Sequence, residues 1–162
     1  MGQYVLVLSE KSALQEKRTG GKGANLARLR RAGFRVPPGF IITTSAFHQF
    51  LEHCGVEGHA QGKRWSEDDL EQSRRLLLDQ TIPPSLSRAI AKAYQKLGGC
   101  VAVRSSMVGE DTVLASFAGQ LETILNVQGV PELLEAVKQC WSSVFTWHLV
   151  RYMSERETLA AA

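Results

Sequence analysis

Long apolar runs are missing from this 162-residue chain. None approaches the roughly 20 residues that cross a bilayer as a helix, so no membrane span is expected. The opening MGQYVLVLSEKS has no basic stretch ahead of a long apolar one, and a secretory leader is not expected either. Leu6 stands where an N-myristoylation signal wants Ser or Thr. Cysteine is scarce. Cys54, Cys100 and Cys140 are odd in number and far apart, which argues against a disulfide framework and for a reducing cytoplasm. His53, Cys54 and His59 lie close together, yet neither a C-x-x-C nor a paired H-x-x-x-H completes a zinc site. Aromatic residues make up only 7% and are not interleaved with basic ones on a strand, so nucleic acid is not the expected partner. Internal repeats and low-complexity segments are also lacking.

What is present is the composition of an ordinary globular domain, 44% hydrophobic and 22% charged, in a length that suits one domain. The net charge of +3 is unevenly placed. Residues 1–36 hold eight Lys/Arg against two Glu, a local net of +6, and the remainder holds eleven against fourteen, a net of −3. The basic cluster of Lys17, Arg18, Lys22, Arg28, Arg30, Arg31 and Arg35 suits either a solvated helix face or a field that attracts a polyanion.

Patterning predicts a short strand over Tyr4–Leu8 and a second over Phe40–Ile42, rich in β-branched and apolar residues. A glycine loop at Thr19–Gly23 leads into a helix over Ala24–Ala32 that Gly33 stops. Val36-Pro37-Pro38-Gly39 must be extended or turned, because proline fixes φ and cannot sit inside a helix. Thr44 or Ser45 can cap a helix with Phe47, Phe50, Leu51 and Cys54 on its apolar face. Residues 55–65 suit a loop. Ser66 with Asp69 forms a capping box before a helix that places Leu70 and Leu77 on one side. Another helix is expected over Ser85–Leu97, with Leu86, Ile90, Ala93, Tyr94 and Leu97 on one face and Gly98-Gly99 ending it. Cys100–Val103 suits a buried strand, residues 105–119 a long loop, and Glu122–Val127 a further strand. Pro131 fits a first helical turn, and Leu133, Val137, Trp141, Val144 and Phe145 continue at helical spacing, in a helix that extends past Arg151. Strands and helices mix without regular βαβ alternation, so the expected class is α+β, or a loosely ordered α/β mixture.

Two segments have the chemistry to hold phosphate. Gly20-Gly21-Lys22-Gly23 stands at a helix entrance, where glycines let backbone N–H groups approach an anion and Lys22 adds a full charge. The spacing is not that of a P-loop, and the alternative is a purely structural turn. Arg104 ends an apolar strand, a common place for ligands in α/β sheets, and its guanidinium can grip two phosphate oxygens. Ser105, Ser106 and Gly119 suit a loop folded over a phosphate tail. The alternative is that Arg104 pairs with Glu110 or Asp111 and ties the loop down.

The stretches GGKGANLARL (20–29), VPPGFIITTSAF (36–47), VAVRSSMVGEDTVLASFAGQLETILNVQG (101–129) and AVKQCWSSVFTWHLVRY (136–152) run in one order over nearly the whole chain. They resemble the nucleotide-binding domain of the phosphoenolpyruvate synthase and pyruvate phosphate dikinase family, which includes rifampicin phosphotransferases. The resemblance implies the N-terminal part of an ATP-grasp-like fold, with residues 1–162 forming a partial domain. It also implies that ATP contacts Lys22, Arg104, Gly119 and Thr123. Glu122 beside them is given no metal. In such enzymes ATP phosphorylates a histidine on a separate swinging domain, which passes the phosphate to pyruvate or to the antibiotic, with Mg²⁺ bridging the nucleotide phosphates. The carboxylates for that metal, the phosphohistidine motif and the pyruvate-binding barrel have no counterpart in these residues. The chain is therefore expected to bind ATP without turning over by itself, with the second half of the ATP-grasp unit and the phosphohistidine domain as its partners. His48, His53, His59 and His148 do not lie in a phosphohistidine context, and Met107 and Thr19 replace the small and apolar residues common in relatives. A different class of function, a helical interaction module, would use Trp141 or Trp147 as an exposed anchor.

Overall fold

The computed structural model describes residues 3–56, 66–108 and 122–145. Strand β1 (Val5–Val7) is followed by a single 3₁₀ turn at Lys11–Leu14 and helix α1 (Glu16–Arg31). Strand β2 (Phe40–Ile42) and helix α2 (Thr44–His53) come next, then α3 (Glu67–Asp79), α4 (Pro84–Leu97), strands β3 (Val101–Arg104) and β4 (Thr123–Val127), and α5 (Val130–Ser142). Both strand pairs are antiparallel. In one, Val5, Leu6 and Val7 face Ile42, Ile41 and Phe40; in the other, Val101, Val103 and Arg104 face Val127, Ile124 and Thr123, with a register shift between Val101 and Val103. Helices beside two separate antiparallel ribbons make an α+β arrangement.

Local signals placed most of these elements. Ser66 accepts the Asp69 N–H at 3.1 Å and its own N–H donates to the Asp69 carboxylate at 3.1 Å, closing the expected capping box. Pro84 and Pro131 occupy first turns, where a missing N–H costs nothing. Gly98 and Gly99 end α4 at φ 67° and 73°, angles that side chains with a Cβ rarely adopt. The Tyr94 hydroxyl then locks that end. It donates to the Gly99 carbonyl at 2.7 Å and accepts the Gly129 N–H at 2.8 Å, tying the exit of α4 to the entrance of α5.

The main core gathers Phe50 and Leu51 from α2, Leu77 from α3, Leu86 and Ile90 from α4, and Leu133 and Val137 from α5. A smaller cluster of Leu6, Leu8, Ala13, Ala27 and Ile41 seals β1, β2 and the middle of α1. Trp141 packs on Phe50 and Phe47 with ring centroids 5.2 and 5.8 Å away, so this tryptophan turns inward. Trp147, the other candidate anchor, lies outside the described residues, as do His59, His148 and most of the 55–65 loop.

Four expectations need correction. Helix α1 begins at Glu16, well before Ala24, and runs through the glycines with a break at Gly20 alone. The N-cap of α2 is Thr43, and its hydroxyl caps no helix N–H; it donates to the Gln3 carbonyl at 2.9 Å and holds the chain start instead. Strand β3 is half-buried, with Ala102 and Arg104 exposed, because one face of a two-stranded ribbon is left to solvent. Helix α5 ends at Ser142, Ser143–Phe145 are no longer helical, and the expected stretch toward Arg151 lies outside the described residues.

Candidate functional site

The two segments singled out in the sequence meet. On the ribbon, Arg104 stands directly across from Thr123, and both are exposed. Residues opposed in an antiparallel pair project to the same face, so guanidinium and hydroxyl share one side of the sheet. The ribbon mouth is closed behind them by Ser105, which is buried and donates both its N–H and its hydroxyl to the Glu122 carbonyl, at 3.2 and 3.0 Å. The ribbon is antiparallel, so the rule that ligands gather at strand ends of parallel α/β sheets does not apply to Arg104.

One residue further on, the chain reaches α1. Gly20 breaks that helix at φ 68°, ψ 169°. A Cβ on Gly20 would lie 2.3 Å from the Ser106 hydroxyl and 2.5 Å from its carbonyl oxygen. Glycine is thus required twice, for its torsion and for the approach of a second backbone. Across this contact the Ser106 hydroxyl donates to the Thr19 carbonyl at 3.0 Å and accepts the Gly23 N–H at 3.1 Å. The Gly21 N–H donates to the Met107 carbonyl at 2.7 Å, and the Lys22 ammonium donates to the Ser105 carbonyl at 3.4 Å. Lys22 therefore reaches the residue next to Arg104.

The glycines do not form the bare cradle for an anion that their sequence suggested. Two of their N–H groups, on Gly21 and Gly23, already have protein acceptors in residues 106–107. Thr19 fits its place because its hydroxyl donates back to the Ala13 and Gln15 carbonyls at 3.1 and 3.0 Å. Lys22, Arg104 and Thr123 are brought to one junction; Gly119, Glu110 and Asp111 lie outside the described residues. The basic cluster divides. Arg28, Arg30 and Arg31 stand in the last turn of α1, about 9 to 14 Å along the axis from Lys22 at roughly 1.5 Å per residue. All three are exposed and complement the negative end of the helix, the solvated-face alternative.

Sequence reasoning missed Cys140, which lies beneath the junction. Its thiol faces the Val103 and Glu122 carbonyls at 3.7 and 3.8 Å. Burial, and then the Glu122 carboxylate, push this thiol up from 9.0 to about 11, while a backbone hydrogen bond from Ser105 and the Lys22 charge pull the other way. A thiol that holds its proton at neutral pH is a packing group there and not a nucleophile. His53 is exposed and Cys54 half-buried, and no group of three His, Cys, Asp or Glu side chains able to hold a metal occurs among the described residues. Two clefts of about 390 and 250 Å³ run along α3, the larger lined by Asp68, Glu71 and Asp79. In the larger cleft three carboxylates outnumber the one Arg75 guanidinium, which pairs with Glu71 at 2.9 Å, so this cleft does not suit a polyphosphate.

Phosphoenolpyruvate synthase of Aeropyrum pernix is 39% identical over 157 residues, covering 86% of this chain and 19% of the relative. Rifampicin phosphotransferase of a Streptomyces species is 39% identical over 163 residues, covering 93% and 19%. The prodigiosin synthesizing transferase PigC of Serratia marcescens is 37% identical over 150 residues, covering 91% and 16%. The chain thus spans about a fifth of the length of these curated relatives. A family model described as pyruvate phosphate dikinase, AMP/ATP-binding domain, matches residues 16–161, and to that family this chain belongs.

Proposed function

We propose that this chain binds ATP through its phosphates, as the N-terminal nucleotide-binding portion of a phosphoenolpyruvate synthase-like phosphotransferase that phosphorylates a histidine on the way to pyruvate. The observation that carries the reading is the meeting of residues 19–23 with 104–107, which sets the Lys22 ammonium against the carbonyl next to Arg104. Arg104 supplies a planar fork for two phosphate oxygens, Lys22 a compact point charge, and Thr123 a hydroxyl on the same face of the ribbon. Gly119 belongs to the same proposed site. Residues 1–162 act in this reading as one partial ATP-grasp-like domain, completed by a second half and served by a phosphohistidine domain, in the cytoplasm. Mg²⁺ would bridge the nucleotide phosphates with protein ligands outside this chain, and the roles given to Lys22 and Arg104 do not depend on it. A second reading, in which the final acceptor is an antibiotic, is favoured by the equal 39% identity to a rifampicin phosphotransferase. A helical interaction module has less support, because Trp141 is spent on the core.

Titration of the chain with ATP and Mg²⁺, followed by NMR shift mapping, tests the site. Shifts are expected at Lys22, Arg104, Gly119 and Thr123. Arg104→Ala should weaken binding by about ten- to a hundredfold, since a charge-assisted pair contributes on the order of 1.5 to 3 kcal/mol. Shifts confined to the acidic face of α3 would overturn the reading.

A further inference from the structure

The junction between α1 and the end of β3 is held by the Gly21 N–H on the Met107 carbonyl and, among side chains, chiefly by one hydroxyl. Among the described residues, three side-chain hydrogen bonds join the two segments across 83 to 87 residues of sequence, and two of them use Ser106. The third is the Lys22 ammonium on the Ser105 carbonyl. A serine hydroxyl can donate once and accept as well, and Ser106 does both here. Its two partners, the Thr19 carbonyl and the Gly23 N–H, stand on either side of Lys22 in the chain. Between them lies Gly20, whose φ of 68° and missing side chain make it the point where this backbone is freest to change course. The lysine stem is long and flexible, so its ammonium keeps the contact with the Ser105 carbonyl only while its Cα is held within reach of that acceptor.

We propose that Ser106 is a positioning residue that fixes the root of Lys22, clamping both sides of the Gly20 break so that the ammonium points at the Arg104–Ser105 backbone. The tandem serines divide the task. Ser105 turns to Glu122 and holds the ribbon on which Arg104 and Thr123 stand, while Ser106 turns to α1 and holds the helix that carries Lys22. The nucleotide consequence rests on the ATP reading above; the placement of Lys22 does not.

The experiment uses the whole chain as parent, Ser106→Ala, Lys22→Met and the double variant. Without nucleotide, Ser106→Ala should shift the Lys22 side-chain NMR signals and speed hydrogen exchange of the Gly23 amide, while Ser106→Thr should keep both near the parent. With ATP, Ser106→Ala should weaken binding by about tenfold in the parent but by less than about twofold in the Lys22→Met background, the non-additivity expected of residues acting as one unit. Equal losses in both backgrounds, or unmoved Lys22 signals, would overturn the proposal. If the parent does not respond to ATP, the nucleotide reading fails, and the Lys22 signals alone still decide whether Ser106 places that side chain. Should Ser106→Ala not fold, Ser106→Cys, with its weaker donor, gives the same comparison.

Discussion

At Gly20 the backbone combines φ 68° and ψ 169° with a neighbouring chain that a Cβ would meet at 2.3 to 2.6 Å. Gly20→Ala should therefore destabilise the fold by about 2 to 4 kcal/mol, combining torsional strain with steric overlap. A urea midpoint that falls at constant slope would show this, and a midpoint equal to the parent's would mean that Ser106 moves aside at little cost. Cys140 makes a second residue-scale prediction. Its thiol is raised from 9.0 to about 11, first by burial and then by the Glu122 carboxylate. The folded state thus holds this proton more tightly than the unfolded chain does. The corresponding stability is complete below about 9 and is lost as the pH rises through about 11. Urea midpoints of the parent should drop across that window more steeply than those of Cys140→Ala, and parallel profiles would refute the linkage.

At the scale of elements, the start of α3 is the most local feature of the fold. Ser66→Ala removes the hydroxyl that accepts the Asp69 N–H, and should cost about 1 kcal/mol in thermal or chemical unfolding. The capping box was legible because both partners lie within four residues of each other. The glycine breaks after α4 and the proline first turns were legible for the same reason. The start of α1 was not. Its glycines suggest a loop to any local argument, since each one weakens a helix by roughly 1 kcal/mol. They stay helical on both sides of Gly20 because residues 106 and 107 accept two of their N–H groups. Lys138 is a like case. It sits on α5 with 7% of its surface exposed, and its ammonium reaches the Leu78 carbonyl at the end of α3 at 2.8 Å and Glu135 at 3.0 Å. No spacing in the sequence marks a buried lysine whose acceptor belongs to another helix.

Among the described residues, one core joins four helices, and in it Phe50 is fully buried with its ring tilted against Trp141 at a centroid distance of 5.2 Å. Phe50→Ala should cost about 3 to 5 kcal/mol, a loss large enough to compare with the total stability of a domain this size. A midpoint lowered by much less would place the aromatic cluster at the margin of the core. The sequence alone determined the class of fold, the apolar faces of α2 to α5 and the two strand pairs' hydrophobic character, and it offered Lys22 and Arg104 as candidates by their charge and place, because periodicity, caps and charged residues are written locally; Thr123 entered only through the family resemblance. It could not determine that Arg104 faces Thr123, that Ser105 and Ser106 turn in opposite directions, or that the glycines' N–H groups are occupied by another segment. Those outcomes depend on contacts spanning 17 to 87 residues of sequence. Only chain folding decides them, since a hydrogen bond has no signature in sequence until its partner has arrived.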